Sequence, residues 1–494
     1  MATKKSASAT DVAVVAKANN ELEKRPSVTV TVDDVLASAS ASASYSPYAQ
    51  AAELLRAGLG GGALGEDGGE YHRSGQVHEN DEAKVVVVCE PGLQKSMGAL
   101  HPAAALYERF VNIELSISEH ANFRETLRRK GIKVLTVREI LRYGLGDNLR
   151  CRIDLEDLAM DMLTYRAGGE IKSESAAGDE EKTPNSKDKL EKSIEEHVGD
   201  EYKRKVLENM SPDQLIDVIL TKPTVTVKPS FRDTGVSASY EFEPLANLIF
   251  TRDQQITTAK GIVMANLRSS QRRHEIKIMK FCFLKLGIEV LGQVDYPGYL
   301  EGGDFFPAGD DLCFVGVGLR SNEIAVKQLM DKDYFGTRRV AIVKDLFDKN
   351  QDRMHLDCVF SILSNNCALM LEDMMGAESP TRRLVDEYTA VTDGDGNVTY
   401  TLSKEEVEFS AYLRDEGYSI IPVSAEEQLE YACNVVNLGN SSILSCHAAT
   451  ARKICRSPHF SGTMEYLDYS AITAMYGALH CSTQIVKRVT KKGE

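Results

Sequence analysis

Apolar and polar positions follow two different periods along the chain from residue 84 onward. Residues 84–89 (KVVVVC) form a short β-branched run that ends at a Pro-Gly pair, which predicts a strand. A helix is predicted around residues 121–130 and a second strand over residues 132–135. Because strands and helices alternate here and again from residue 247, the pattern predicts an α/β protein.

The first 82 residues lack such a pattern. Residues 36–45 are an Ala-Ser tract and residues 58–69 are rich in glycine, so neither stretch buries enough apolar surface to offset its ordering entropy. Three glycines of the second stretch match GxGxxG, but the strand and helix that this motif needs on either side are missing. We therefore predict a disordered extension over residues 1–82 and a catalytic α/β region over residues 83–494.

Residues 136–235 interrupt the alternation of strands and helices. Residues 168–193 are dominated by Glu, Lys, Ser and Gly, which predicts a flexible solvated loop. Ser211 followed by Pro212 is a typical helix start, because Ser caps free amides and Pro fits the first turn. The whole stretch is predicted to be a helical insertion.

Composition narrows the classes of function. The 494 residues carry 58 basic and 73 acidic side chains, so the net charge is 58 − 73 = −15, which disfavours general nucleic-acid binding. No run approaches the roughly 20 apolar residues that span a bilayer. The ten cysteines include no Cys-x-x-Cys pair, and the chain begins without an apolar signal core. These features predict free thiols, no metal site, no membrane partner and a cytoplasmic location.

Four short segments place polar residues next to apolar runs. They are NLIFTRD at 247–253, EGGD at 301–304, MHLDCVFS at 354–361 and GALHCSTQ at 477–484. Taken singly, each has a structural explanation: a surface ion pair, an acidic glycine turn, a His–Asp pair or an inert buried thiol. Taken together, they supply a Cys nucleophile, a His acid/base and carboxylates that match a planar guanidinium.

The residues of these segments and their order along the chain resemble those of the arginine deiminase family of the guanidine-modifying superfamily. Residues 84–93 (KVVVVCEPGL), 271–275 (QRRHE) and 316–321 (GVGLRS) resemble further family segments. The resemblance covers residues 84–494 and is weaker over 140–235. It implies an α/β fold of the pentein type, a pseudo-symmetric propeller of five blades with a helical insertion.

The resemblance also implies a role for each matched residue. Cys481 is the expected nucleophile and His355 the expected general acid/base. Asp253 and Asp357 are expected to grip the guanidinium, and Glu301 to contact it and assist proton transfer. The expected substrate-binding residues are Asn247, Phe250, Arg272, Arg320 and Asp304. Among these, the two arginines match the family positions that hold the substrate α-carboxylate, whereas the aspartate is expected to support the site.

The implied reaction converts L-arginine and water to L-citrulline and ammonia through a thiouronium adduct, as in arginine catabolism. It needs no cofactor, and a homo-oligomer is expected. Residues 476–481 (YGALHC) depart from the family, which usually has an Arg and a run of glycines before the cysteine. Three alternatives stay open: an agmatine deiminase, an amidinotransferase, and a non-catalytic arginine-binding protein.

Overall fold

A computed structural model describes residues 74–146, 148–168, 194–230 and 236–490, all within one unit that spans Leu55–Glu494. The strands are β1 Glu82–Val88, β2 Lys133–Thr136, β3 Thr164–Ala167, β4 Pro223–Pro229, β5 Val236–Phe242, β6 Gln255–Thr257, β7 Ile262–Met264, β8 Val290–Gln293, β9 Phe305–Pro307, β10 Leu312–Val317, β11 Arg339–Lys344, β12 Phe360–Ser364, β13 Cys367–Leu371, β14 Leu384–Thr392, β15 Val398–Glu408, β16 Ser419–Val423, β17 Val436–Asn437, β18 Ser442–Ser445, β19 Thr463–Tyr466 and β20 Gln484–Val489. The helices are α1 Leu93–Gly98, α2 Ile113–Arg129, α3 Val137–Arg142, α4 Leu149–Met162, α5 Asp200–Glu208, α6 Pro212–Thr221, α7 Arg273–Lys285, α8 Glu323–Asp331, α9 Phe409–Asp415, α10 Ala425–Leu429, α11 Ala448–Arg456 and α12 Ser470–Thr473.

Five sheets share one connectivity. In each, a first strand pairs antiparallel with a second strand, and the second strand pairs parallel with a third that follows a helix. The five sets of strands are β20-β1-β2, β6-β7-β8, β9-β10-β11, β12-β13-β16 and β17-β18-β19. The α/β class is therefore confirmed, whereas closure of the five units into a propeller stays a prediction.

The apolar runs of the sequence become the central strands of these units. All six residues of β10 (LCFVGV) are buried, because its sheet is covered on both faces. The strand predicted near residue 84 is β1, and the helix predicted over 121–130 is the C-terminal part of the longer α2. The hairpin of β14 and β15 extends the third sheet to five strands.

The segment predicted as a helical insertion also contains a sheet. Its helices are present, and α6 begins as expected: Ser211 accepts a hydrogen bond from the backbone of Gln214, whose side chain bonds back to the Ser211 amide. However, β3 and β4 within the segment form a three-stranded sheet with β5, which follows it, and the helical prediction missed this sheet. The period-two pattern of residues 223–229 (PTVTVKP) is the local signal for it. Residues 169–193, most of the predicted loop, lie outside the described residues.

The ordered region begins before residue 83. Residues 1–73 lie outside the described residues, but residues 74–82 contact the last strand. Gly75 pairs with Lys487, and the buried Glu79 carboxylate accepts a hydrogen bond from Arg488 Nη2 at 2.7 Å. The predicted boundary at residue 82 was thus too late, because a buried ion pair rather than apolar periodicity fixes this segment.

Two other features of the chain bear on the sequence predictions. All ten cysteines are free thiols. Within the part of the chain that the structure describes, no helix is long and apolar enough to cross a membrane.

Candidate active site

A cavity of about 340 Å³ brings together seven of the ten residues singled out in the sequence. The seven that line it are Asn247, Phe250, Asp253, Arg272, Arg320, His355 and Cys481. Glu301 and Asp357 do not line the cavity but contact residues that do, His355 and Cys481. Asp304 lies next to this wall, where it bonds to Ser321 and to the amide of Leu356. The four motif segments therefore converge on one site.

His355 is held at the cavity wall by Glu301. Each residue immediately precedes a short 3₁₀ turn, at 356–358 and 302–304. His355 Nε2 lies 2.8 Å from Glu301 Oε2, and His355 Nδ1 lies 4.0 Å from Asp253 Oδ1. Burial by itself lowers the pKa of His355, but the Asp253 and Glu301 carboxylates outweigh it and raise this pKa to about 9. The imidazole is therefore protonated at neutral pH and can donate a proton.

Glu301 stays ionised in spite of complete burial. Burial raises the pKa of its carboxyl, but the hydrogen bond with His355 and the charge of Arg320 hold that pKa well below its usual value. Arg320 Nε donates to Glu301 Oε2 at 2.9 Å, and the Arg268 amide donates to Glu301 Oε1 at 3.1 Å. This carboxylate thus positions both an imidazole and a guanidinium at the cavity.

Cys481 lines the cavity and is 6% exposed. Its Sγ lies 3.4 Å from Asp357 Oδ2, and Asn434 Nδ2 donates to the same sulfur at 3.2 Å. Burial raises the pKa of the thiol, and the carboxylates of Asp357 and Asp253 raise it further. The thiol is therefore neutral in the unliganded site, and a cation beside it would favour the thiolate.

Asp357 belongs to a buried chain of ionisable groups next to Cys481. Its Oδ2 lies 2.8 Å from Nδ1 of His480, whose Nε2 lies 3.6 Å from Oε1 of Glu79. Glu79 in turn pairs with Arg488. Because Asp357 does not line the cavity, the structure places it next to the cysteine rather than at a free substrate-facing surface. Its expected contact with the guanidinium stays a prediction.

Asp253 offers an open acceptor at the cavity. Its Oδ2 accepts from Arg272 Nη1 at 2.7 Å, whereas its buried Oδ1 has no hydrogen-bond partner among the described residues. Buried carboxylate oxygens are usually satisfied, so this one marks a place for a donor. A guanidinium N–H is a donor of the right charge.

The two arginines of the expected carboxylate clamp are not equivalent. Arg272 is bound by Asp253, by both carboxylate oxygens of Glu275 and by the carbonyl of Asn247. Among the described residues, Arg320 makes one hydrogen bond, from Nε to Glu301, and its side chain is 15% exposed. Arg320 is consequently the better placed of the two to bind an anion.

The remaining predicted residues shape the cavity. Asn247 Nδ2 donates to the Ala105 carbonyl at 2.9 Å, and the Phe250 ring packs on Gly477, where a Cβ atom would lie 2.5 Å from the ring. Asp304 accepts from Ser321 Oγ at 2.6 Å and from the Leu356 amide at 2.9 Å, and burial raises its pKa to about 6. Asp304 therefore supports the loop that carries His355.

The glycines of the EGGD segment permit close approach. A Cβ atom at Gly303 would lie 2.8 Å from His355 Nδ1 and 3.0 Å from Asp357 Oδ1. A Cβ atom at Gly302 would lie 2.0 Å from the Arg252 carbonyl oxygen. Only glycine fits at these two positions.

One group of potential metal ligands occurs among the described residues. His355, Asp357 and Cys358 each offer a ligand atom, and these atoms lie within 4.8 Å of one another. Their ligand atoms are already engaged, since His355 bonds to Glu301 and Asp357 to His480. Burial also raises the pKa of Cys358 well above its usual value, which disfavours the thiolate that a metal needs.

Sequence reasoning missed Asn434. Its Oδ1 accepts from the amides of His480 and Cys481 at 3.0 and 3.3 Å, while its Nδ2 reaches the sulfur. The one available signal was its place, two residues before the strand β17, because Asp253 and Cys481 likewise lie shortly before β6 and β20.

An α/β scaffold that brings a thiol, an imidazole and carboxylates to one cavity defines an enzyme rather than a structural protein. The family model for arginine deiminase matches residues 153–488, which is more than half of the chain. The chain belongs to the arginine deiminase family. The predictions of that family and of an arginine-modifying hydrolase are thereby confirmed.

Individual relatives are distant. The arginine deiminase of Halobacterium salinarum is 24% identical over 57% of this chain and 74% of its own length. That of Staphylococcus aureus is 24% identical over 64% of this chain and 74% of its own length. Among solved structures, a dimethylarginine dimethylaminohydrolase mutant from Pseudomonas aeruginosa in complex with citrulline is 13% identical, with a TM-score of 0.43 over 81% of this chain and 98% of that one. The N-terminal domain of a cyanobacterial arginine dihydrolase is 15% identical, with a TM-score of 0.38 over 66% of this chain and 97% of that one.

Proposed function

We propose that this enzyme hydrolyses free L-arginine to L-citrulline and ammonia through a covalent adduct on Cys481. One observation carries the proposal: Asp253, whose Oδ1 has no hydrogen-bond partner among the described residues, lines the same cavity as Cys481 and His355. This arrangement suits a substrate whose electrophilic carbon lies inside a planar cation. Family membership supports the same substrate class.

The charges of the site favour attack only when the substrate is bound. In the free enzyme, burial and two carboxylates keep the Cys481 thiol protonated. A guanidinium against Asp253 places a positive charge near the sulfur and lowers the free energy of the thiolate. The thiol proton has an acceptor in Asp357 Oδ2, which lies 3.4 Å away. Substrate binding and activation of the nucleophile are thus linked.

The steps then follow from the positions of the side chains. The Cys481 thiolate attacks the guanidinium carbon, and the C–N bond to the departing nitrogen breaks as protonated His355 donates its proton to form ammonia. A thiouronium adduct remains on the sulfur. His355, now neutral, takes a proton from water, and the resulting hydroxide attacks the same carbon. Cleavage of the C–S bond, with loss of the hydroxyl proton to solvent, releases citrulline and the Cys481 thiolate. Asp357 then returns the proton that it accepted, which restores the neutral thiol.

The α-carboxylate of the substrate is assigned to Arg320. Its guanidinium lines the cavity with two terminal nitrogens that make no hydrogen bond within the described part of the chain, whereas Arg272 is surrounded by Asp253 and Glu275. Arg–carboxylate pairs are strong and directional. Arg272 therefore mainly orients Asp253, which modifies the two-arginine clamp that the family resemblance implies.

The decisive test is incubation of purified protein with L-arginine as the sole substrate, followed by detection of citrulline and ammonia. The variant Cys481→Ser should abolish turnover while calorimetric binding of arginine persists. Cys455→Ser is the matched control, because this thiol is exposed and outside the cavity. Retained citrulline production by Cys481→Ser would contradict the assigned nucleophile.

The same assay separates the alternatives. Turnover of agmatine in preference to arginine would indicate an agmatine deiminase. Product formation that depends on an added amine acceptor would indicate an amidinotransferase. Binding of arginine by wild-type protein without release of ammonia would indicate a non-catalytic arginine-binding protein.

A further inference from the structure

Three residues that line the cavity have a strained backbone. Among the described residues, nine that are not glycine have positive φ angles, and three of them line the cavity: Leu106, Tyr431 and Tyr476, at 61°, 63° and 72°. Bulky side chains rarely adopt this conformation, because Cβ crowds the backbone. Such strain persists only where surrounding contacts enforce it, and it is typical of functional sites.

Two of the three residues are fixed by their phenol groups. Tyr431 Oη donates to Glu108 Oε2 at 2.7 Å, and Tyr476 Oη donates to Asp352 Oδ1 at 3.1 Å. Each bond joins two loops that are far apart in sequence. Leu106 lies two residues before Glu108 and is 40% exposed, so its side chain stands at the entrance.

Further hydrogen bonds close these contacts into a circuit. The backbone amides of Glu108 and Arg109 both donate at 3.0 Å to the carbonyl of Ala474, which lies two residues before Tyr476. Gln428, three residues before Tyr431, donates from its Nε2 to the Asp352 carbonyl at 2.9 Å. The segments at 106–109, 351–353, 428–431 and 474–476 are thus linked in a ring, and each of them includes a residue that lines the cavity.

We propose that Leu106, Tyr431 and Tyr476 form a collar that determines specificity, admitting free arginine and excluding arginine whose α-amino group carries a bulky acyl substituent. This inference rests on the proposed function. The guanidinium is assigned to the buried end of the cavity, beside Cys481 and Asp253, so the α-amino end of the substrate lies toward the entrance. Side chains that narrow the entrance therefore act on substituents at that end.

The strain itself offers a direct test. Glycine adopts positive φ without penalty, so Leu106→Gly relieves strain and removes a collar side chain at the same time. The assay compares kcat/KM for L-arginine with kcat/KM for Nα-benzoyl-L-arginine. We expect the arginine preference of Leu106→Gly to fall by at least about tenfold, while its thermal midpoint is no lower than that of wild type.

Glu406→Gly is the matched control. Glu406 has a φ of 54° and an exposed side chain, and it lies on the hairpin strand β15, away from the cavity lining. Its substitution relieves comparable strain and should leave the substrate preference unchanged. Tyr476→Phe tests the circuit, since it keeps the ring and removes the bond to Asp352; its arginine preference should also fall.

A second readout does not depend on turnover. Alkylation of Cys481 by iodoacetamide and by its bulkier N-benzyl derivative is followed by mass spectrometry of the Cys481 peptide. The measured quantity is the rate of alkylation by the N-benzyl reagent divided by the rate with iodoacetamide. Opening the collar should raise this ratio in Leu106→Gly and Tyr476→Phe but not in Glu406→Gly. If wild type fails to release citrulline, the proposed function is wrong, but the ratio of alkylation rates still tests whether the collar restricts access to Cys481. Ratios within about twofold of wild type in both collar variants would overturn the inference.

Discussion

Glutamine at position 79 should destabilise the enzyme far more than glutamine at position 82. Glu79 is 2% exposed and pairs with Arg488, whose side chain is fully buried. Removing one partner of a buried ion pair costs about 3–5 kcal/mol, because the other charge stays buried without compensation. Arg488 keeps bonds to Gln76 and to the Asp81 carbonyl, so we expect the lower end of this range.

Glu82→Gln supplies the control within the same segment. Glu82 pairs with Lys84 at 2.5 Å, but both side chains are more than a third exposed, and such surface pairs contribute about 0–1 kcal/mol. Thermal and urea unfolding at pH 7 compare the two variants with wild type. Equal midpoints for Glu79→Gln and wild type would refute the claim that residues 74–82 belong to the folded core.

The same pair predicts how stability depends on pH. Burial raises the pKa of Glu79, but Arg488 outweighs it and holds this pKa far below its ordinary value. A carboxyl group whose pKa is lower in the folded state than in the unfolded state stabilises the fold. This contribution is complete above the unfolded-state pKa of about 4.5 and is lost as the pH falls below that value. Glu79→Gln should lack this contribution, so its stability should fall less steeply in acid than that of wild type.

Four further outcomes are expected. Arg320→Ala should lower kcat/KM for arginine at least about tenfold more than for agmatine, because only arginine has the carboxylate; equal losses would make Arg320 structural. The stability advantage of wild type over His355→Gln should fall as the pH rises from about 6.5 through about 9. The reason is that the folded state raises the pKa of His355 from about 6.5 to about 9, so the protonated imidazole contributes its full stability only below about pH 6.5. Gly303→Ala should lower kcat, because its Cβ would displace the side chains of His355 and Asp357, whereas Gly302→Ala should mainly lower the thermal midpoint, because its Cβ meets a backbone carbonyl. Asn434→Ala should lower kcat by freeing the amides and the sulfur of the nucleophile loop, and unchanged kcat would show that the asparagine is dispensable.

The sequence predicts residues whose signal is local. Asp253, His355 and Cys481 each lie in a short polar segment beside an apolar strand, and the structure brings all three to one cavity. The start of α6 is equally local, since Ser211 and Gln214 form its capping box within four residues. Such features depend on contacts between near neighbours in the chain, which pattern and spacing reveal.

Features that depend on distant partners were not predictable in this way. Glu79 and Arg488 are 409 residues apart, and nothing near either residue indicates a buried pair. The contrast between Arg272 and Arg320 is likewise invisible in the sequence, because it depends on which carboxylates surround each guanidinium in the fold. The left-handed conformation of Tyr476 was also hidden, since its position favours glycine and the sequence supplies tyrosine.

The repeated connectivity of the five sheets explains why the site is assembled from the whole chain. The first strands of the five units are β6, β9, β12, β17 and β20, and each follows a loop that contributes to the site. Those loops carry, in the same order, Asp253, Glu301, His355, Asn434 and Cys481. Corresponding loops of the repeated units supply different chemistry: two carboxylates, an imidazole, an amide and a thiol. The four with ionisable side chains stand out in the sequence, whereas Asn434 is recognised only by its place in the repeat. The side-chain amide of Asn434 is the member that contacts the sulfur of Cys481 and the backbone amides of His480 and Cys481, so a neutral side chain orients the proposed nucleophile.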